Sequence, residues 1–220
     1  MIFNKSRRKL FDKFNINGNC LEIVQEYKYL GVIIRCSGSL TRAVDNLNDK
    51  ALKAFFKILK AFSNFDVSLN IKIKLFDILV KPILLYGCDS WGDHITSNHT
   101  NCYKLEKLQL NLCKHFLHVH NKTSNSAVLA EVGRFPILLD VKYRLVKTWI
   151  ESKSKQANPL LQSALDEMKN VSSKWSNQIR YVLEETGLGG LYEQPISQSF
   201  NTDAFLQMFK QRLRDIDVQS

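Results

Sequence analysis

The sequence lacks any long apolar run. Its most apolar stretch, residues 75–87, is interrupted by Asp77, Lys81 and Pro82. It is therefore too short and too polar to span a bilayer. The first nine residues are already basic, and the apolar segment of a secretory signal does not follow them. These absences argue against a membrane partner and predict a soluble intracellular protein, either nuclear or cytoplasmic.

Cysteine is scarce and irregularly placed. The five cysteines form an odd set without regular spacing, namely Cys20, Cys36, Cys88, Cys102 and Cys113. Since intracellular thiols stay reduced, we expect free cysteines rather than a disulfide framework. The sequence also has no internal repeat and no low-complexity tract.

Acidic residues are few relative to basic ones. Of the 220 residues, 45% are hydrophobic and 24% are charged, as in ordinary globular domains, and the formal net charge is +10. Residues 1–64 contain 12 Lys and Arg against 5 Asp and Glu (+7), residues 65–150 contain 11 against 7 (+4), and residues 151–220 contain 8 against 9 (−1). This distribution favours a nucleic-acid partner that contacts the first two thirds of the chain.

Residues 1–35 carry the signals of short antiparallel strands. Met1-Ile2-Phe3 is expected to end one strand. Segments 11–16 and 20–24 flank Asn17-Gly18, a dipeptide that tolerates the positive φ angles of a type I′ hairpin turn. A further β segment spans residues 27–34. A sheet this small must pack on another part of the chain.

From residue 40 the apolar spacing changes to three and four, which predicts helices. The first long helix has an apolar stripe of Leu40, Val44, Leu47, Ala51, Ala54, Ile58 and Phe62, widened by Leu52, Phe55, Phe56 and Leu59. A second helix is predicted to begin after Ser68 and to kink or end at Pro82. Its inner face is expected to contain Ile71, Leu75, Ile78 and Leu79.

The remaining sequence predicts further helices. A polar loop at 94–101 precedes a helix that buries Leu105, Leu108, Leu112 and Phe116, and a short helix runs from Ser124 or Asn125 to Gly133. Another helix follows Pro136 as far as about Ser154, with Leu138, Val141, Leu145 and Trp149 inward. Weaker signals predict helices near 172–186 and 202–216. The predicted fold class is mainly α with a small N-terminal antiparallel β-sheet (α+β), and the helices form a bundle.

Several motifs resemble non-LTR (LINE-like) retrotransposon reverse transcriptases. In chain order these are Tyr29-Leu30-Gly31, Lys74-Leu75-Phe76-Asp77, Lys81-Pro82-Ile83-Leu84-Leu85-Tyr86-Gly87, Trp91-Gly92, Leu105-Glu106-Lys107-Leu108-Gln109 and Glu131-Val132-Gly133-Arg134-Phe135-Pro136. The resemblance implies the end of the palm and the primer-grip hairpins at 1–35, and a helical thumb-like region at 36–154. Residues 155–220 would be a helical C-terminal extension of uncertain role. The implied partner is RNA or primer–template nucleic acid, without a small-molecule substrate.

The carboxylates that the family uses for polymerisation are missing. Its catalytic centre needs an Asp-Asp pair after Tyr-Ala to hold two Mg²⁺ ions, and this sequence contains no Asp-Asp. The adjacent acidic pairs, Asp166-Glu167 and Glu184-Glu185, lie in the polar tail. We expect the palm to lie upstream of Met1, an internal methionine of the ancestral reading frame. The chain itself is then not an enzyme and has no cofactor, because only the full-length parent needs Mg²⁺.

Four lysines are candidates for nucleic-acid binding. Lys50, Lys53, Lys57 and Lys60 occur at i, i+3, i+7 and i+10, and they therefore share one helix face about 15 Å long that could follow a phosphate backbone. The competing interpretation is the ordinary solvated face of an amphipathic helix. The thumb position implied by the resemblance favours binding.

The resemblance adds three candidates in the Tyr-Leu-Gly motif, which in the family supports the primer 3′ end. Tyr27 and Tyr29 share one face of a β segment, where packing competes with ligand contact as an explanation. Gly31 is interpreted as a backbone requirement, because a side chain there would obstruct close approach.

Cys113, His115, His118 and His120 suggest zinc, but on a helix their side chains do not converge as four tetrahedral ligands, so no metal site is predicted. Cys88 has no adjacent His and is not predicted to be a nucleophile. Trp91 and Trp149 are expected in the core, and Trp175 fits either the core or base stacking. The predicted function is that of a reverse-transcriptase fragment with sequence-tolerant nucleic-acid binding. The alternative is a helical scaffold or protein-interaction module, or a decayed reading frame without selected function.

Overall fold

The computed structural model describes residues 14–62, 65, 67–96, 99–153, 158–194 and 200–219. Within these ranges the chain begins with short antiparallel strands and continues almost entirely as helices. This confirms the predicted fold class, mainly α with a small N-terminal antiparallel β part. The strand expected at Met1-Ile2-Phe3 lies outside the described residues.

From residue 14 onward, the β part consists of two hairpins in separate two-stranded sheets rather than one sheet. Strands β1 (Phe14–Ile16) and β2 (Asn19–Leu21) are joined by Asn17 and Gly18, whose φ angles of 50° and 80° form the predicted type I′ turn. Strands β3 (Glu26–Tyr29) and β4 (Val32–Arg35) pair from Glu26 with Arg35 to Tyr29 with Val32. The side chains of β1 and β2 are all exposed, whereas β4 packs against the first helix.

Helix α1 (Thr41–Phe62) follows the second hairpin and buries one face in the core. Its buried side chains are Ala43, Val44, Leu47, Ala51, Phe55 and Ile58. Phe56 departs from the predicted stripe, since 57% of it is exposed. At 100° per residue it lies beyond the edge of the buried arc, beside the half-buried Leu59.

The predicted inner face of the second helix was largely wrong. Ile71, Ile78 and Leu79 are exposed, and the core side chains of this segment are instead Phe76, Val80 and Leu84. A π-helical turn (Phe76–Val80) lies between α2 (Leu69–Leu75) and α3 (Lys81–Leu84), closed by the hydrogen bond from the Lys81 N–H to the Phe76 carbonyl, and it affects Ile78 and Leu79 but not Ile71, which precedes it. Pro82 cannot donate to the preceding turn. The wider turn absorbs that loss and rotates the following side chains relative to an α-helix.

The central helices are α4 (Cys88–Thr96), α5 (His99–Phe116), α6 (Asn125–Glu131) and α7 (Ile137–Lys153). The predicted inward residues of α5 are buried, and so are those of α7 except the half-buried Leu138. The polar loop predicted at 94–101 is wrong where the chain is described, because α4 continues to Thr96 and α5 already begins at His99. Main-chain hydrogen bonds form a helix, so a polar composition alone does not exclude one.

Helices α8 (Pro159–Asn170), α9 (Lys174–Glu185), α10 (Gly190–Glu193) and α11 (Thr202–Gln219) complete the described chain. The helices predicted near 172–186 and 202–216 are confirmed as α9 and α11, whereas α8 was not predicted. Ile179 of α9 and Phe209 of α11 belong to the same hydrophobic core as Trp91 and Leu145. In the part of the chain described here, no helix combines the length and the apolar character needed to cross a membrane.

Candidate nucleic-acid interface

Lys50, Lys53, Lys57 and Lys60 are all exposed on α1, on the side turned away from its buried residues. We call this surface the lysine face. Their predicted exposure is confirmed, whereas contact with nucleic acid stays a prediction. Residues 49–60 also include the exposed Asp49, so this stretch carries a net charge of +3.

The lysine face is distinguished by the arrangement of its lysines along one helix. Within the described residues, Lys50, Lys53 and Lys57 form no ion pair, which is also true of isolated exposed lysines such as Lys74 and Lys122. Other lysines do pair with carboxylates, namely Lys81 with Asp140, Lys104 with Asp45, Lys142 with Glu185 and Lys169 with Glu193. Unpaired ammonium groups keep their full attraction for an external polyanion.

The second hairpin presents the Tyr-Leu-Gly motif at its tip. Tyr27 and Tyr29 are 55% and 58% exposed. Leu30 and Gly31 have φ angles of 45° and 88°, the pattern of a type I′ turn. A leucine rarely adopts positive φ, so the surroundings must hold it there. The Tyr86 hydroxyl does so by donating a hydrogen bond of 2.7 Å to the Leu30 carbonyl.

Gly31 has two structural reasons to be glycine. Its φ of 88° disfavours an L side chain, and a Cβ placed there would lie 3.3 Å from Cε1 of the Tyr86 ring. The expected close approach therefore exists, and the approaching group is a side chain of the same protein. Whether this turn also contacts a nucleic-acid strand stays a prediction, as it does for Tyr27 and Tyr29.

The motifs that resemble the reverse-transcriptase family meet one another in the fold. Tyr86 joins the hairpin tip to α3, and the Trp91 indole N–H donates to the Tyr86 carbonyl at 2.9 Å. Arg134, in the loop after α6, forms a two-pronged ion pair with Asp77 in the π-helical turn. These contacts bridge 56 and 57 residues of sequence in the hairpin–Tyr86 and Asp77–Arg134 pairs.

The two later motifs also meet, at the start of α7. The Leu138 N–H donates to Glu106 Oε1 at 2.9 Å, and the Gln109 side-chain amide donates to the Phe135 carbonyl at 2.8 Å. Burial raises the pKa of Glu106 to about 7, although the N–H groups of Leu138 and Ile137 act in the opposite direction. Polar side chains of α5 thus satisfy main-chain groups at the turn into α7.

The cysteines and histidines are arranged as parts of a core and a surface. Cys113 is buried, and burial raises the pKa of its thiol to about 11, whereas His115 and His118 are exposed with ring centroids 6.3 Å apart. Burial likewise raises the pKa of Cys88 to about 12, which keeps its thiol protonated near neutral pH. Both thiols are placed as core side chains.

The tryptophans follow the sequence prediction. Trp91 and Trp149 are buried in the core, as predicted. Trp175 is half-buried, packs against that core, and donates its indole N–H to the Asp89 carbonyl at 2.7 Å. Its role is therefore in packing rather than in an open stacking surface.

Sequence reasoning missed Lys114, a buried cation. Only 6% of this residue is exposed, and its ammonium donates to the Asn121 carbonyl and to Asn125 Oδ1, both at 2.8 Å and both neutral. The C-terminal dipole of α5 favours a cation there by about 0.3–1 kcal/mol. Desolvation of an ion costs several kcal/mol, which is more than the dipole contributes. The periodic apolar pattern of α5 offers no signal for such a residue.

Searches against protein families, curated proteins and solved structures give no match to this chain.

Proposed function

We propose that this chain binds RNA or primer–template nucleic acid with little sequence preference, through the lysine face of α1. The observation that carries the proposal is that exposed lysines lie along one helix face and that Lys50, Lys53 and Lys57 form no ion pair within the described residues. Ammonium groups in a row neutralise successive phosphates and release counterions, which supplies affinity without reading bases.

The resemblance to retrotransposon reverse transcriptases gives this binding a setting. The contacts among Leu30, Tyr86 and Trp91, and between Asp77 and Arg134, support it because the resembling motifs act as one packed unit. The proposed role is that of a thumb-like fragment without polymerase activity of its own. Asp166-Glu167 and Glu184-Glu185 lie on helices α8 and α9, unlike the strand–turn–strand of a polymerase palm.

The test is salt-dependent binding of a fluorescent RNA duplex, followed by anisotropy over a range of salt concentrations. Lys50, Lys53, Lys57 and Lys60 are replaced together by Gln. Binding should weaken for all sequences alike, and the slope of log affinity against log salt should become shallower by roughly 0.7–0.9 for each phosphate that the protein no longer neutralises. The fold should survive because these side chains are exposed.

The matched control replaces four exposed lysines elsewhere, Lys74, Lys122, Lys174 and Lys210. Lys153 and Lys169 are unsuitable because both contact Tyr192 or its neighbour Glu193. Both quadruple variants lose four positive charges and differ in position. Because Lys210 lies 5.6 Å from the centroid of the Tyr143 ring, thermal unfolding of the control variant is measured as well. Equal losses of binding would show that net charge alone matters, and a wild-type chain without salt-dependent binding would remove the proposal.

A second candidate function, a protein-interaction module, has one observation in its favour. Phe14, Ile16 and Leu21 lie on the same face of the first hairpin, and all three are exposed. An apolar strand surface of this kind is typical of contact sites. Replacing the three with Ser should change self-association or partner capture, and should leave RNA binding unchanged if the lysine face acts alone.

A further inference from the structure

A groove of about 480 Å³ lies between α1 and the C-terminal end of α5. This volume falls within the roughly 300–1,000 Å³ of typical small-ligand sites. The side chains that matter for its chemistry are Phe55, Phe56, Leu59, Lys114, His115 and His118. The groove thus combines apolar and aromatic walls with a cation.

Phe56 stands between this groove and the lysine face. Helices α1 and α5 run in the same direction, since Asp45 pairs with Lys104 near their starts and Leu59 and His118 both line the groove near their ends. At about 100° per residue, Phe56 is a surface neighbour of Lys60 (i+4) and Lys53 (i−3) on α1. Its ring is largely exposed.

Lys114 indicates which charge the groove would attract. Lys114 lines the groove and is buried, its hydrogen-bond acceptors Asn121 and Asn125 are neutral, and among the described residues it forms no ion pair. Buried charges in proteins are normally paired. An anionic group in the groove would complete the site.

We infer that the groove binds one unpaired nucleotide of a strand whose backbone runs along the lysine face. The base stacks on Phe56 beside the imidazole rings of His115 and His118, and a phosphate of the same strand approaches Lys114. A base within a duplex cannot present its face to a side chain, whereas an unpaired base can. The inference rests on the proposed function and adds to it a preference for strands with unpaired bases.

The experiment compares two RNAs, a blunt duplex and the same duplex with a single-stranded overhang of about five nucleotides. F56A should bind the overhang RNA about 5- to 160-fold more weakly than wild type, the range measured when a base-stacking aromatic is removed. It should bind the blunt duplex as wild type does. F56W should restore overhang binding, because a larger ring can still stack.

The matched control is Y181A, which removes an equally exposed aromatic from α9. It should change neither RNA. Thermal unfolding of F56A and F56W should be cooperative and close to wild type, because the ring at position 56 lies largely outside the core. A K114Q variant tests the phosphate contact, and it should lower the salt slope for overhang RNA by about 0.7 while that for blunt RNA stays the same.

The outcomes separate this inference from the proposed function. Equal weakening of both RNAs by F56A, no weakening of either, or failure of F56W to restore binding would overturn the groove. If F56A has no effect while the quadruple lysine variant still loses binding, the lysine face stands without the groove. If Phe56 matters for overhang RNA and the four lysines do not, the groove stands and the lysine face is wrong. A wild-type protein that binds neither RNA would overturn both.

Discussion

The lysines on the lysine face of α1 and those around α7 differ in whether they pair with carboxylates. Lys50, Lys53 and Lys57 extend into solvent without a carboxylate partner among the described residues. Around α7, Lys142 pairs with Glu185, and Lys169 and Arg180 share Glu193. The positive charges on α1 can still attract an external ligand, whereas those around α7 are already neutralised by carboxylates of the same chain.

Lys153 is another lysine whose ammonium group contacts groups of the same chain. Its ammonium donates to the Tyr192 carbonyl at 2.8 Å and lies 4.5 Å from the centroid of the Trp149 ring, which is stacked on Tyr192. Burial lowers the pKa of Lys153. A count of basic residues cannot separate such a lysine from one on α1, so net charge is a poor guide to where a polyanion binds.

The largest effect is expected at Glu106, a half-buried carboxylate with no cation partner in the described contacts. Its pKa is raised by burial from 4.5 to about 7. Between these two values the folded chain holds a proton that the unfolded chain has released, so the contribution of Glu106 to the free energy of unfolding is highest below pH 4.5 and is lost as the pH rises through 7. E106Q keeps an acceptor for the Leu138 N–H and removes this loss.

Denaturant unfolding at pH 4.5 and pH 8 should therefore separate E106Q from wild type. The two proteins should be similar in acid, and E106Q should be the more stable at pH 8, by on the order of 3 kcal/mol. A variant that is less stable than wild type at pH 8 would show that ionised Glu106 is compensated after all.

A smaller effect on the free energy of unfolding should distinguish the two N-terminal hairpins. Gly18 and Gly31 both have positive φ, but a Cβ at Gly18 would meet nothing within 4 Å, whereas one at Gly31 would meet Tyr86. G31A should lower the free energy of unfolding by about 1–2 kcal/mol, because β4 packs on α1 and the strain is transmitted to the core.

G18A is the matched control, since it introduces the same strain into a hairpin whose side chains are all exposed. It should change global stability by less than about 0.5 kcal/mol, because that hairpin can open locally. Equal losses in the two variants, measured by denaturant unfolding, would mean that both hairpins are anchored to the bundle.

The smallest effect sharpens the comparison between the lysines directly. K153M should cost about 1 kcal/mol of stability, since it removes a hydrogen bond and a cation–aromatic contact. K53M should stay within about 0.5 kcal/mol of wild type. RNA binding should show the reverse order, with K53M weaker than wild type and K153M unchanged. If K53M and K153M changed stability equally and changed RNA affinity equally, the two regions would not differ in the role of their lysines.

The sequence predicted most of the elements because apolar periodicity depends on local geometry. The positions of α1, α5, α7, α9 and α11 and the turn at Asn17-Gly18 all follow from spacing and turn residues. The inner face of residues 69–84 did not: a π-helical turn changes the angle between the side chains at 76–80, and the exposure of Ile71, which precedes that turn, has no local explanation. Pro82 predicted an interruption of the helix, but the form of that interruption, a π-helical turn, depends on how Phe76 and Val80 pack in the core.

The candidate site also has features that follow from sequence spacing and others that depend on tertiary contacts. Exposure of Lys50, Lys53, Lys57 and Lys60 follows from their spacing on an amphipathic helix. The groove beside Phe56 requires α1 and α5 to lie side by side, and the partners of Lys114 come from the loop after α5 and the start of α6. Such contacts join parts of the chain whose separation in sequence carries no information about their distance in space.

What the sequence determined by itself is therefore the kind of each segment: strand or helix, which helix face is apolar, and where basic residues concentrate. These properties depend on neighbours within a few positions. The tertiary structure decided which charges are paired, which aromatic ring remains exposed at Phe56, and which turn Tyr86 holds in place. These depend on contacts between elements, and burial removes water as the alternative partner only once those elements have packed.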